Sequence, residues 1–231
     1  ASIAQVQIQN TIKSARVEFG IQKVQATINQ FKLANKKYAI VIDKSGSGKK
    51  ESFSITTQNG VAKITGGDET GILYGCLEFA ERIKLAKSFP ANLNIADAPE
   101  MVLRGACIGV QKPYYLPGRT VYEYPYTPET FPWFYDKKLW LQYLDSMVEN
   151  RMNSLYLWNG HPFASLVKLK DYPYAVEVDE ATFKKNEEIY RFITTEADKR
   201  GIWVIQMFYN IIVSKPFAAH HNIKTQERER H

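Results

Sequence analysis

The sequence predicts an α+β domain followed by an α/β unit, the first three strand–helix repeats of a (β/α)8 TIM barrel, and three observations carry that expectation. Residues 1–88 alternate helical and strand periodicities around a hairpin signal, the pattern of helices layered on a sheet. Residues 102–231 instead repeat strand, long loop, helix and short turn, the rhythm of a parallel sheet with its chemistry at the strand C-termini. That second stretch holds only three strands, whereas a closed eight-stranded barrel takes about 250 residues, so the barrel is expected to be incomplete. Residues 89–101, with Pro90 and Pro99, read as a linker between the two.

Val17, Ile21, Val24, Ile28 and Phe31 recur at steps of four and three, one face of an amphipathic helix beginning at Ala15. Tyr38 to Asp43 reads as a buried strand, and Ser45 to Gly48 as a turn. Phe53 and Ile55 then alternate within residues 51–57, Asn59-Gly60 is a hairpin turn, and Val61 to Thr65 returns, so a meander is expected. Gly66-Gly67 ends it. Asp68 suits an N-cap, ahead of a helical face made by Ile72, Leu73, Cys76, Leu77, Ala80 and Ile83. In the second stretch Leu103–Val110, Asn153–Trp158 and Ile202–Phe208 read as strands. Helices are expected over Asp136–Asn150 and Glu180–Arg200, with Gly201 closing the latter. Asp171, Glu177, Asp179 and Glu180 read as capping acids of that helix.

With 231 residues, 45% of them hydrophobic and 23% charged, the chain is long and apolar enough for a real core, which excludes disorder as its main state. No apolar run approaches the roughly 18 residues that span a bilayer, so no membrane span is expected. Cys76 and Cys107 lie in apolar stretches without a second ligand at metal spacing. They read as core thiols, and neither a disulfide scaffold, a metal site nor a cofactor is expected. The formal charge of +6 is spread over pairs such as Lys49-Lys50 and Lys184-Lys185, without the stripe that nucleic acid requires. The surplus suits an acidic substrate or a solvated surface. Many of the 14 Tyr, 12 Phe and 4 Trp crowd between Tyr114 and Trp158, which suggests a recognition surface. The oligomeric state stays open.

Gly46-Ser-Gly-Lys49 lacks the Walker spacing and leads into a strand, so it reads as a turn rather than a phosphate loop. The segment from Gly66 to Ile83 places Gly71 and Gly75 four apart on one helical face, a device for close helix–sheet approach. It resembles the glycine-tyrosine-glycine helix that ends the accessory domain before the catalytic barrel in hexosaminidases and alpha-glucuronidases. Leu103-Arg104-Gly105 and Asn150 to Trp158 are also similar to that superfamily's first and second barrel strands, and the resemblance runs from about Ala15 to His221. It implies an α+β accessory domain, a glycoside hydrolase barrel and a carbohydrate partner. It also implies that Arg104 holds sugar hydroxyls, with an ion pair at the barrel base as the other reading. Trp158, Asn159 and His161 stand where those relatives place sugar-facing groups, although Trp158 also suits a structural role. Ile108-Gly-Val-Gln111 departs from the relatives' acidic and aromatic motif.

Tyr209, Asn210, His220, His221 and Asn222 form the densest polar group in the chain, and His220-His221 is a departed version of the relatives' single histidine. On an extended segment adjacent histidines point to opposite sides, so at most one is expected to face a ligand. Arg104, Trp158, Asn159 and His161 are expected to converge at the C-terminal mouth of the strands. The relatives' catalytic acids follow a fourth strand that this sequence does not reach, and no catalytic residue is assigned. The expected function is therefore the N-terminal part of a glycoside hydrolase acting on a terminal hexosamine or uronic acid, inactive by itself. A non-catalytic carbohydrate-binding module is the alternative. A start at Ala1-Ser2 is the expectation for a periplasmic or secreted protein after signal removal, or for a trimmed chain.

Overall fold

A computed structural model describes residues 6–33, 37–109, 125–159, 164–208 and 213–224. The chain divides into two compact units. The first comprises residues 1–104, 145–153 and 198–202, and the second residues 105–144, 154–197 and 203–231.

In the first unit the strands β1 (Gln7–Gln9), β2 (Ala39–Lys44), β3 (Phe53–Gln58), β4 (Val61–Gly66) and β5 (Asn94–Asp97) form one sheet in the order β1-β2-β4-β3-β5. Helices α1 (Ala15–Gln30) and α2 (Glu69–Ala86) pack on each other, and α2 lies on the sheet. Most of the expected apolar faces are buried, Val17, Val24 and Ile28 of α1 and Ile72, Leu73, Cys76, Ala80 and Ile83 of α2, while Ile21, Phe31 and Leu77 are half-buried. Asp68 caps α2, its carboxylate accepting from the Gly71 backbone N–H at 2.7 Å. Asn59 and Gly60 both take left-handed conformations (φ 51° and 78°), which a tight β3–β4 hairpin requires.

Two expectations change here. The strands are not a meander, because β2 pairs in parallel with β4, and β3 lies on the far side of β4. Ala62 and Ile64 are fully buried, as the centre of the sheet demands. The expected linker carries β5, which pairs with β3 through Ile55↔Ile95. Pro90 and Pro99 flank that strand instead of interrupting it, so they bound an edge strand. The short β1, paired with β2, has no periodicity to announce it.

In the second unit β6 (Gly105–Gly109), β7 (Ser154–Asn159) and β8 (Trp203–Phe208) form a parallel sheet in sequence order. Helices α3 (Lys137–Glu149) and α4 (Glu180–Lys199) follow β6 and β7 in the chain, and the α4 side of the sheet is marked by its contact with β8. Leu155 and Leu157 are buried on that face, and the Tyr190 hydroxyl of α4 donates to Gln206 of β8. The opposite face carries Cys107, Tyr156, Trp158, Trp203, Ile205 and Met207 by register. It is open: Trp203 is 67% and Met207 44% exposed, and Cys107 is exposed rather than a core thiol.

The described end of the Tyr-rich loop is core, not recognition surface. Tyr126, Phe131 and Phe134 are buried beside the Pro132–Tyr135 turn, and Trp140 Nε1 donates to the Phe134 carbonyl at 2.8 Å. Asn186, fully buried on α4, donates to the carbonyls of Tyr126 and Ser165 at 2.9 Å each and accepts from the Tyr135 hydroxyl. Residues 110–124 of the loop lie outside the described residues.

The two helical glycines of α2 work as their spacing suggests. A Cβ on Gly71 would stand 2.1 Å from the Ser52 carbonyl oxygen, and one on Gly75 2.6 Å from Ile64 Cγ2. Gly71→Ala is therefore expected to lower stability by about 2–3 kcal/mol in denaturant unfolding, since backbone must move to admit the methyl. Gly46, with nothing near its missing Cβ, serves as the control, and its alanine variant should stay within about 0.5 kcal/mol of the parent. Equal losses at the two positions would refute the close-approach account.

Candidate functional site

Because β6, β7 and β8 run in parallel, their C-terminal ends share one edge, with Gly109, Trp158 and Met207 side by side in register. Loops leaving such an edge are where ligands of parallel α/β folds bind. Trp158 is half-buried on the open face, and Asn159 closes β7 beside Phe208. The edge thus keeps the position expected for Trp158 and Asn159. The Asn159 side chain, and the whole of His161, Tyr209 and Asn210, lie outside the described residues.

His220 and His221 are not on an extended segment. A short helix α5 (Lys215–His220), capped by the Ser214 hydroxyl, ends at His220, and His221 follows as its C-cap. Helical geometry turns both imidazoles onto one partner, Tyr174, which lies in the 3-10 turn Pro173–Ala175. His220 stacks on the Tyr174 ring with centroids 3.9 Å apart and planes at 23°. The Tyr174 hydroxyl and His221 Nε2 share a hydrogen bond of 2.8 Å. Phe217 and Tyr172 join the group, with centroids 4.4 Å from His221 and 5.5 Å from Phe217 respectively. Tyr172 and Tyr174 are inconspicuous in the sequence because their partners lie over forty residues away. Glu177 accepts from the backbone N–H of Lys215, and Asp179 from that of Thr182 at 2.7 Å, so Asp179 caps α4 as expected.

Arg104 does not join the strand C-termini. It directly precedes β6 and so stands at the start of the strand, inside a polar cluster of the first unit. Its Nη2 donates to Glu51 Oε2 at 2.8 Å and to the Tyr74 hydroxyl at 3.2 Å, its Nε to the Arg151 carbonyl at 2.9 Å, and its Nη1 to the Met101 carbonyl at 2.6 Å. Asn153 completes the cluster: it accepts from the Arg104 backbone N–H at 2.9 Å and donates to Glu51 Oε1 at 3.0 Å. Arg151 pairs with Glu78 at 2.7 Å and with Asp97, and lies over the Phe53 ring. Burial pushes the Tyr74 hydroxyl up to about 12, with the Glu51 charge adding to the rise, so it stays protonated beside the guanidinium. Every nitrogen of the Arg104 guanidinium group is thus engaged in this cluster. The ion pair, not a sugar contact, is what this geometry supports.

A cavity of about 130 Å³ borders the cluster, lined by Glu51, Tyr74, Asp97, Arg104 and Arg151 among others. Its charged walls are paired with one another, which leaves them little capacity to recognise a ligand. Among the described residues no group of three His, Cys, Asp or Glu could hold a metal ion, and no helix is long and apolar enough to cross a membrane.

Arg104 and Glu51 are only 15% and 17% exposed at their side chains, so removing either strands the other. Arg104→Ala and Glu51→Ala should each lower stability by about 2–4 kcal/mol, and the double variant by clearly less than the sum. Denaturant unfolding in a double-mutant cycle measures this, and additive losses would show that the pair is not coupled.

No protein-family model and no curated protein matches the sequence. Among solved structures, an enzyme of family GH138 that targets the pectin rhamnogalacturonan II is 57% identical over 96% of this chain, with a TM-score of 0.86. The chain spans 26% of that enzyme's length. A family 20 β-N-acetylglucosaminidase matches 88% of this chain at 17% identity and a TM-score of 0.57, over 38% of its own length. A Streptomyces plicatus β-hexosaminidase matches 93% of this chain at 14% identity and a TM-score of 0.54, over 43% of its own length. The last two show the fold alone; at sequence level the chain is similar to about a quarter of a glycoside hydrolase.

Proposed function

We propose that this chain is part of a glycoside hydrolase acting on a pectic glycan, and that it supplies an α+β accessory domain and the first three βα units of a (β/α)8 catalytic barrel. The observation that carries the reading is the 57% identity to the GH138 enzyme over 96% of the chain. Identity at that level, sustained through both units, favours a shared chemistry over a shared fold alone. The open face of the β6–β8 sheet supports the barrel, because parallel strands are stable only when both faces are covered.

Of the two sugars expected, the uronic acid is favoured. Pectic polysaccharides are built on uronic acids, whereas the hexosaminidase likenesses speak only to fold. The formal charge of +6 suits attraction of such a polyanion. In this reading Trp158 stacks on a pyranose at the strand edge and Asn159 lies beside it, while the pair of carboxyl groups that glycoside hydrolysis requires belongs to later strands. In this reading the isolated segment is inactive, and a polymeric target fits a periplasmic or secreted protein.

The longer polypeptide, incubated with rhamnogalacturonan II and with a panel of aryl uronides and hexosaminides, is expected to release a terminal uronic acid, and the isolated segment to release none. Release of hexosamine alone would reassign the sugar. Absence of release from every substrate would overturn the hydrolase reading.

A further inference from the structure

The rings Tyr172, Tyr174, Phe217, His220 and His221 form a group on the second unit that its core does not need. They come from segments that leave the C-terminal ends of adjacent strands, one between β7 and α4 and the other after β8. Where the 3-10 turn meets α5, the small residues Ala175 and Ala218 are the buried ones, at 3% and 2% exposure. The rings lie outside that packing. Tyr172 is 42% exposed, His220 and His221 are exposed, and Tyr174 and Phe217 are half-buried. A contiguous aromatic patch that this segment exposes and does not pack into its own core is a candidate interaction surface.

The patch is also ordered. His220 stacks face to face on Tyr174, and the Phe217 plane lies within 26° of that of Tyr174, so the surfaces left for a ligand are the outer face of His220 and the exposed Tyr172 beside it. The Tyr174–His221 hydrogen bond fixes the central ring, so little conformational freedom remains to be lost on binding.

We propose that this group is a stacking platform for a uronic-acid-bearing glycan chain, holding sugars of the polymer beyond the one that is cleaved. The proposal rests on the pectic reading above. Pyranose rings present apolar C–H faces edged by hydroxyls, which match aromatic faces edged by imidazole nitrogens and a phenol. The exposed Lys170, two residues before Tyr172, supplies a cation for a carboxylate. Of the acids in the adjoining segment, Glu177 is tied to the Lys215 backbone and Asp179 to the start of α4, so their carboxylates are drawn into local bonds. Asp171, also exposed, stands between Lys170 and Tyr172, so the choice of an acidic glycan comes from the pectic reading and not from the local charge balance.

Isothermal titration of the longer polypeptide with rhamnogalacturonan II and with an oligogalacturonide tests the platform, using Tyr172→Ala, His220→Ala and His220→Phe. Each alanine variant should bind the glycans about threefold to tenfold more weakly, while His220→Phe, which keeps a ring, should stay within about twofold of wild type. Circular dichroism confirms folding of each variant. Alanine variants that bind like wild type, or a phenylalanine variant as weak as alanine, would overturn the platform. Wild-type protein that binds the glycans without cleaving them would overturn the hydrolase reading and leave the platform standing. Wild-type protein that cleaves them while the alanine variants bind unchanged would overturn the platform alone.

Discussion

Parallel strands joined by right-handed crossovers receive their helices on one side only, and the other side has to be covered by something else. In this chain α4 reaches the Leu157 and Gln206 side of the sheet, leaving Cys107, Trp203 and Met207 facing outward. An apolar face of this size is stable in a barrel, where it becomes the packed interior. The same constraint gives the C-terminal strand edge its meaning. Trp158 lies on the uncovered face at the C-terminal edge of the sheet, so in the proposed barrel its half-exposed indole would form the wall of a pocket.

Within the first unit different physics operates. Arg104, Glu51, Asn153 and Tyr74 are joined by charge-assisted hydrogen bonds in a poorly solvated place, and two of them, Arg104 and Asn153, are the residues from which the chain leads into β6 and β7. Such a cluster fixes geometry more than it adds net stability, because the cost of desolvating the charges offsets much of their attraction. Gly71 and Gly75 serve the same end by bringing α2 down onto Ser52, Phe53 and Ile64. In parallel α/β folds generally, residues at the strand starts serve stability while the loops at the strand ends carry ligand sites.

Much of this is legible in the sequence wherever a period is long enough to read. The faces of α1 and α2, the Asn59-Gly60 hairpin, the Asp68 cap and the three parallel strands all follow from local spacing. What escapes is non-local. The partner of β2 depends on which strand takes the centre of the sheet, and β5 is hidden between two prolines that bound it. Cys107 looks like a core thiol by its neighbours, yet the face it occupies lacks a cover. For Arg104 the sequence leaves two roles open, and its position just before β6 decides between them. The histidine pair resists reading because six residues of helix, Lys215 to His220, are too few to show a period. Its aromatic partners, drawn from the previous loop, emerge only in three dimensions.

The central claim is that the open face of β6–β8 is an interior surface in the longer polypeptide, and thiol reactivity tests it most directly. Cys76 is fully buried, and burial pushes its thiol up to about 12, so it should stay unlabelled in any folded form. Cys107 should react readily with an aromatic disulfide reagent in the isolated segment and resist it in the longer polypeptide, with the site of labelling mapped by peptide mass spectrometry. A Cys107 that reacts equally fast in both would contradict the account, because the face would then be open in the whole protein as well.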